Sequence, residues 1–312
     1  MSTAILLATK DGGRYIGELL DSLLAQTCKD FTVWLHDDGS EDDTLSIYER
    51  YRSDDPDRFR ILEGPPQNGA RENFFYLMRS VEADHYLFAD DDDVWREDKV
   101  QKLMEALLTE EEARGKDHPV AAFCDMKVVD SKLNEIAPSF IGYMGRSPQY
   151  TRYTEVLIDN PAAGCSIAMN RALRDIAIGC DDISRVEMHD AWVMMTAAVF
   201  GSIVYVPEAM VLYRQHQGNE LGAATESVIQ KIGRNMGDFF SGRMYRNKRD
   251  FFRVSRDTAA EVCKLKGVPE DKRKVLEEYS RFDEHGRFYR ISFCNKYGIR
   301  RAHHTLWMLM WI

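Results

Sequence analysis

The first 115 residues alternate between short apolar runs and segments in which apolar residues recur at helical spacing. The runs TAILLAT, FTVWLH, RFRILEG and HYLFA predict four buried strands. Helices are predicted through Ile16, Leu19, Leu20, Leu23 and Leu24, around Leu45, over NFFYLMRSV, and from Glu97 to Arg114. Ser40 or Asp42 is the expected cap of the second helix. This alternation predicts an α/β fold, a doubly wound and mainly parallel sheet with helices on both faces.

After residue 115 the pattern becomes less regular. AAFCDMKVVD and GCSIAMN predict strands, HDAWVMMTAAVF predicts a helix, and SIVYVPEAMVLYRQH predicts a strand pair with a turn at Pro207. From about residue 225 the chain is helical in pattern, basic and rich in aromatic residues. We therefore divide it into residues 1–115 and 116–224, two halves of one domain, and a helical extension over residues 225–312.

The formal net charge of -10 argues against a general nucleic-acid-binding protein. The charge is unevenly distributed. From Arg243 onward the chain has 17 Lys and Arg and 9 Asp and Glu, whereas the residues before it include 24 Lys and Arg and 42 Asp and Glu. The 6 cysteines include no CxxC pair, so we expect reduced thiols and no zinc site. We also expect neither a signal peptide nor a membrane-spanning helix, since the longest apolar run, LWMLMWI, is too short.

Four consecutive carboxylates, Asp90 to Asp93, follow the fourth predicted strand directly. In an extended segment Asp90 and Asp92 would project to one side, and Asp91 and Asp93 to the other. Carboxylates this close have raised pKa values unless a cation neutralises them. Oxygen ligands with no cysteine nearby favour Mg²⁺ or Mn²⁺. The alternative is a solvated acidic turn that caps the following helix.

Two more polar segments, KDGG and HDDGS, follow the first and second predicted strands. The carboxyl ends of parallel strands meet at one sheet edge, where such folds bind their ligands. We therefore expect all three segments at one site. Within HDDGS, an Asx turn that ends the strand is an alternative role for Asp37.

Six segments occur in a characteristic order: ILLATKDGGRYIGELLDSLLAQT, FTVWLHDDGSEDDT, FADDDDVW, GCSIAMNR, MHDAW and LYRQH. Together they resemble the inverting family-2 glycosyltransferases with the GT-A fold, in particular bacterial rhamnosyltransferases that build surface polysaccharides. The resemblance covers roughly residues 3–222. It implies a nucleotide-sugar-binding half over residues 1–115, and a half over 116–224 that carries the catalytic base and binds the acceptor.

The resemblance also implies roles for the donor-side residues. Asp92 would be a direct metal ligand and His216 a further one, while Asp90 would face the donor ribose or the metal's water shell. Asp38 would accept a hydrogen bond from the pyrimidine N3–H. Thr9, Arg71 and Asp91 would complete the donor site, with Arg71 replacing a lysine that is Glu72 here.

On the acceptor side, the resemblance places the catalytic base at Asp190. It assigns acceptor contacts to Asp93, Trp95, Gly164, His189 and Trp192. Two departures from the family pattern affect the sugar assignments: Lys10 stands where an aromatic residue is common, and Ala191 replaces a tryptophan.

The implied reaction is a single displacement at the anomeric carbon of a nucleoside-diphosphate sugar, with dTDP-β-L-rhamnose as the favoured donor and a UDP-hexose as the alternative. The acceptor would be a glycan or a lipid-linked glycan, and the protein would act in the cytoplasm. The basic and aromatic extension predicts peripheral contact with the inner leaflet of the membrane. A helical subdomain packed on the core and a homodimer interface are the alternatives.

Two further functions fit parts of the sequence. DDDDV also matches the nucleophile loop of haloacid-dehalogenase-type phosphohydrolases, with Asp90 as nucleophile and Asp92 as acid/base. Those enzymes usually carry this loop on their first strand, whereas three predicted strands precede it here. A non-catalytic nucleotide-sugar-binding subunit is the second alternative, against which the presence of Asp92 and Asp190 argues.

Overall fold

The computed structural model describes residues 1–216 and 243–300. Its strands are β1 (Thr3–Thr9), β2 (Thr32–Asp37), β3 (Phe59–Ile61), β4 (His85–Asp90), β5 (Val94–Trp95), β6 (Val120–Val129), β7 (Glu135–Ala137), β8 (Ile167–Asn170) and β9 (Ser202–Arg214). The helices before residue 217 are α1 (Ile16–Leu24), α2 (Thr44–Asp54), α3 (Ala70–Ser80), α4 (Lys99–Arg114), α5 (Phe140–Met144), α6 (Tyr153–Val156), α7 (Arg171–Ala177) and α8 (His189–Phe200). The C-terminal region adds α9 (Arg243–Lys264), α10 (Glu270–Ser280) and α11 (Arg287–Tyr297).

All these strands belong to one sheet in the order β3-β2-β1-β4-β8-β6-β9-β5, with β7 paired to β6. Strands β3, β2, β1 and β4 run parallel, as do β6 and β9. Strand β8 is antiparallel to both β4 and β6 and joins the two parallel groups. The predicted doubly wound, mainly parallel α/β fold is confirmed.

Apolar cores cover both faces of the sheet. Alternate residues of β1 point to opposite sides, so Ile5 packs in the core with Leu19 of α1, while Leu6 packs in the core with Phe74 of α3. Every residue of β1 is buried, as expected for a parallel strand with helices on both faces.

Two local predictions are wrong. Residues 202–214 form one strand rather than a strand pair, because the chain bulges at Pro207: Val206 pairs with Cys124 and Ala209 with Asp125. Proline lacks an N–H group for the ladder, and a bulge accommodates it without reversing the chain. The N-cap of α2 is Asp43, not Ser40 or Asp42. The Ser40 hydroxyl accepts a hydrogen bond from the Asp11 amide instead. The Asp42 carboxylate does accept the amide of Thr44, the first residue of α2, at 2.9 Å.

The C-terminal helices share a core with the helices that cover the sheet. Phe252 and Ala259 of α9 and Tyr279 of α10 lie in the same apolar cluster as Trp192 and Leu173. The helical prediction is therefore confirmed for residues 243–300. Its parts within residues 217–242 and 301–312 lie outside the described residues. None of the described helices is both long and apolar enough to cross a bilayer.

Candidate active site

The carboxyl ends of β1, β2 and β4 bring the three polar segments to one edge, as predicted. Thr9 pairs with Asp37 of β2, and its neighbour Ala8 pairs with Asp90 of β4. The Asp91 carboxylate accepts a hydrogen bond from the Thr9 hydroxyl. The loop between β1 and α1 and the acidic segment after β4 are thus in direct contact at the sheet edge.

The acidic segment turns sharply between β4 and β5, and its side chains do not alternate as predicted. Asp90, Asp93 and the Cys165 thiol have ligand atoms that all lie within 4.8 Å of one another. Asp92 points elsewhere, with its Oδ2 atom 2.9 Å from Nε2 of His216. The prediction that Asp91 and Asp93 share a side is wrong, because residues 91–92 form a turn rather than an extended strand.

The ionised forms of the four carboxyl groups in this segment are disfavoured. Burial raises the pKa of Asp90 to about 8, with further contributions from the charges of Asp92, Asp91 and Asp190. Burial likewise raises the pKa of Asp91 to about 7 and, together with the nearby Asp92 and Asp90 charges, raises that of Asp93 well above its usual range. A cation at this edge would stabilise the ionised carboxylates, so the solvated acidic turn is a poor description of the segment.

Two basic residues that we did not predict as site residues offset part of this charge. Arg214 donates its backbone amide to Asp93 at 3.1 Å and its guanidinium to the Asp92 carbonyl at 2.6 Å. Lys99 is fully buried, donates to the Cys165 carbonyl at 2.6 Å and lies over the Trp95 ring. The sequence signal for Lys99 was a lysine among the apolar positions of α4, and the signal for Arg214 was its place beside Gln215 and His216.

The donor set fits Mg²⁺ or Mn²⁺. Asp92 and His216 are adjacent in space although 124 positions separate them, and the Asp92 charge also raises the Asp90 pKa. Within residues 1–216 and 243–300, Oδ2 of Asp93 is buried with no hydrogen-bond partner. The assumption that no cysteine lies nearby is wrong, but burial raises the pKa of the Cys165 thiol well above its ordinary value. A neutral thiol is a poor ligand, so oxygen and imidazole remain the donors.

Asp37 and Asp38 organise the loops beside this edge. Asp37 accepts hydrogen bonds from the Gly39 and Ser40 amides at 3.0 and 2.9 Å, which confirms the Asx turn. Asp38 is 4% exposed and accepts the backbone amides of residues 67–69. Its carboxylate therefore fixes the loop before α3 at the donor side.

Arg71 lies between the donor side and the loop that precedes α8. Its guanidinium pairs with Glu72 at 2.5 Å and donates to the Val186 carbonyl at 2.9 Å. To contact a nucleotide-sugar donor, Arg71 would have to give up either its ion pair with Glu72 or its hydrogen bond to Val186.

Asp190 lies in the first turn of α8, across from the acidic segment. Burial raises the pKa of its carboxyl group to about 6, while the Ala191 amide and the Arg146 charge act in the opposite direction. Asp190 also borders a cavity of about 120 Å³, formed by residues 156–160, the start of α8 and one side of α9. A carboxylate with this pKa is ionised at neutral pH and basic enough to accept a proton.

The predicted acceptor residues are mostly interior. Trp192 is 0% exposed and donates its indole N–H to the Ala177 carbonyl, because the inward face of α8 packs on α7. Asp93 is also 0% exposed and Trp95 is 4% exposed, both covered by β9 and α4. We therefore correct these three assignments: the side chains belong to the core and not to the acceptor surface.

Gly164 and His189 pack against each other next to Asp190, in the first turn of α8. His189 stacks on Phe74 with a ring distance of 3.9 Å, and burial lowers its pKa to about 3. A Cβ atom at Gly164 would lie 2.5 Å from the His189 ring, so only glycine fits there. This packing fixes the position of the helix turn that carries Asp190, which directly follows His189.

The sheet edge carries carboxylates suited to a cation-bound diphosphate, and another carboxylate, Asp190, lies beside them. This arrangement is typical of nucleotide-sugar glycosyltransferases with the GT-A fold. The chain belongs to glycosyl transferase family 2, whose profile matches residues 4–175. This membership excludes the phosphohydrolase alternative.

Individual relatives agree with this class. The chain is 27% identical over 227 residues to the dTDP-rhamnosyl transferase RfbG of Shigella flexneri, covering 70% of this chain and 74% of that protein. It resembles the crystal structure of S. aureus TarS 1-349 with a TM-score of 0.56 and 18% identity, over 94% of this chain and 74% of that one. The mannosyltransferase PcManGT from Pyrobaculum calidifontis, in complex with GDP-Man and Mn²⁺, gives a TM-score of 0.54 at 12% identity, over 94% and 75% of the chains. These structures share the fold.

Proposed function

We propose that this glycosyltransferase is metal-dependent and inverting, and that it moves L-rhamnose from dTDP-β-L-rhamnose to a hydroxyl group of a glycan or lipid-linked glycan. The observation that carries the proposal is that Asp190 is a buried carboxylate at the start of α8 that accepts a hydrogen bond from the Gly164 amide and whose charge contributes to the raised pKa of Asp90 in the acidic segment. The rhamnosyl donor is supported by the sequence motifs and by the similarity to RfbG.

In the proposed mechanism Asp190 removes the proton from the acceptor hydroxyl as the oxygen attacks the anomeric carbon. The Ala191 amide, which donates to Asp190 at 2.6 Å, orients the carboxylate. Base and leaving group lie on opposite sides of the sugar, so a β-linked donor gives an α-linked product.

Asp92, Asp90 and His216 would hold the Mg²⁺ or Mn²⁺ ion. When bound, such an ion acts as a Lewis acid that neutralises charge on the departing diphosphate. The roles of the chain itself are to position donor and base. Thr9 and Asp91 link the β1 loop to the acidic segment, and Asp38 holds residues 67–69 beside the pyrimidine site. Arg71 would contact a donor phosphate by giving up its ion pair with Glu72.

The experiment that tests this function is a donor screen on the full chain. We expect Mn²⁺-dependent hydrolysis of dTDP-rhamnose that exceeds hydrolysis of UDP-glucose, UDP-galactose and UDP-N-acetylglucosamine, and loss of turnover in excess chelator. Preference for a UDP-sugar would redirect the donor assignment; the related TarS structure has been solved in complex with UDP-GlcNAc. Nucleotide-sugar binding without any turnover would instead identify a non-catalytic subunit, and undiminished turnover in chelator would contradict the metal role.

We also propose that the C-terminal region contacts the cytoplasmic face of the membrane, where a lipid-linked acceptor resides. Phe288 is 91% exposed at the start of α11, between Arg287 and Tyr289, and basic and aromatic side chains favour anionic interfaces. Phe288→Ser should weaken co-sedimentation with anionic vesicles relative to the unchanged chain. Equal binding of the two proteins would contradict membrane contact through this helix and favour the packed-subdomain or dimer alternative.

A further inference from the structure

The cavity beside Asp190 has no assigned occupant, and its walls come from three distant parts of the chain. Arg146 and Asn160 contribute from the loops around α6, Glu187 and Asp190 from the start of α8, and Thr258 from α9. We propose that this cavity binds the acceptor's terminal sugar as a single uncharged pyranose, and that Thr258 on α9 limits its size. The inference rests on the proposed function, because it assumes that Asp190 is the base.

The lining matches the chemistry of a neutral sugar. Arg146 and Asn160 offer donors, whereas the ring has apolar faces that Val254 and Met195 are suited to contact. The Glu187 carboxylate can accept hydrogen bonds from sugar hydroxyls, and the Thr258 hydroxyl, which lines the α9 wall of the cavity, can accept or donate them. Partners for sugar hydroxyls are therefore present on both sides of the cavity.

The charge of the lining disfavours an acidic sugar. Among the described residues that line the cavity, the carboxylates of Glu187 and Asp190 stand against one guanidinium, that of Arg146. An acceptor that carried a carboxylate or phosphate on its terminal ring would meet a net negative wall, and such repulsion is a common source of specificity.

The size of the cavity favours one sugar ring. Its volume is about 120 Å³, whereas pockets for drug-sized ligands are about 300–1,000 Å³. The remainder of a longer acceptor would lie outside, towards solvent.

Ion pairs fix the α9 wall relative to the loop that leads to Asp190. Arg185 pairs with Asp257 at 2.7 Å and with the buried Glu261 at 3.1 Å. Thr258 follows Asp257 directly, so its distance from the base is set by this contact. The family profile ends at residue 175, so α9 lies outside the matched part, and we infer that the C-terminal helices contribute acceptor specificity separately from donor chemistry.

The test uses the full chain with Mn²⁺ and dTDP-rhamnose, and a panel of octyl pyranosides as acceptors that includes octyl β-glucoside and octyl β-glucuronide. Thr258→Trp should lower the ratio of transfer to donor hydrolysis at least about tenfold, since a large side chain fills the space of the sugar. Thr109→Trp, at an exposed position of α4, is the matched control for the substitution and should retain the wild-type ratio. Thermal melting establishes that both variants fold.

The second measurement concerns charge and does not depend on filling the cavity. Wild-type protein should use the neutral glucoside in preference to the glucuronide, and Glu187→Gln should reduce that preference several-fold. An unchanged ratio of transfer to hydrolysis in folded Thr258→Trp, equal use of the two glycosides, or donor hydrolysis with no transfer to any neutral pyranoside would each overturn the acceptor cavity alone. Absence of turnover with every nucleotide sugar would instead contradict the proposed function.

Discussion

The donor side and the acceptor side of this enzyme are built in different ways. On the donor side, Thr9, Asp37 and Asp90 each stand at the end of a strand, and strand pairing alone brings them together. On the acceptor side, Arg146, Glu187 and Thr258 come from loops and a C-terminal helix that no strand register relates. Short motifs are therefore enough to predict the proposed donor site, whereas the proposed acceptor site forms only when the helices pack.

The two sides also differ electrostatically. The proposed donor side concentrates four neighbouring carboxylates whose pKa values are raised chiefly by burial, and a bound cation would favour their ionised forms. The acceptor side relies on one carboxylate with a pKa of about 6 and a nearby guanidinium. We therefore expect the donor side to respond to metal and the acceptor side to respond to pH.

The largest effect is expected for Asp190→Asn, which removes the proposed base. Turnover should fall about 10²–10⁴-fold, while the dissociation constant of the donor measured by calorimetry should stay nearly unchanged, because Asp190 is not among the proposed donor contacts. Asp175→Asn, a change at an exposed side chain of α7, is the control. A fully active Asp190→Asn protein would remove the assignment and with it the functional division between the two sides.

His216→Ala should weaken Mn²⁺ binding at least about tenfold, because the imidazole is lost beside Asp92. Titration calorimetry with Mn²⁺ in the presence of dTDP measures this effect. His118→Ala is the control, since His118 contacts Ser202 at the start of β9, on the opposite sheet edge. Equal Mn²⁺ affinity in His216→Ala would show that His216 orients Asp92 without binding the ion.

The pH dependence should separate the base from the metal site. At saturating Mn²⁺, kcat/KM should fall about tenfold per pH unit below about pH 6, because the pKa of Asp190 is raised to about 6 and only its ionised form accepts a proton. Arg146→Met should move this inflection to higher pH, since the Arg146 charge lowers the Asp190 pKa. An inflection that follows the Mn²⁺ concentration instead would assign it to the acidic segment.

The smallest effect concerns the attachment of α9. Glu261 is 1% exposed and pairs with Arg185 and Lys264, so Glu261→Gln should lower the free energy of unfolding by about 1–3 kcal/mol. The melting temperature should fall by several degrees while dTDP binding persists. Glu270→Gln, at an exposed pair with Lys274, should leave the melting temperature unchanged. Equal melting of both variants would mean that apolar contacts alone hold α9.

Some site predictions depended on local conformation and failed where that conformation changed. The alternation expected for Asp90 to Asp93 assumed an extended segment, but the turn at residues 91–92 directs Asp90 and Asp93 to one place. The family resemblance implies an acceptor contact for Trp192, which lies two residues after Asp190, yet residues this close in a helix face different directions. Lys99 was overlooked because a lysine in a helix is usually solvent-exposed, whereas this one is buried beneath the acidic segment.

The amino-acid pattern alone predicts the order of β1 to β4 and α1 to α4, the edge at which the polar segments meet and the family of the enzyme, because these follow from periodicity and from short motifs next to strands. The packed fold was needed to establish that Asp92 meets His216, that Pro207 lies at a bulge in a single strand, and that α9 lines a cavity beside Asp190. Such contacts join residues far apart in the chain, and packing energies that no local pattern encodes select among them.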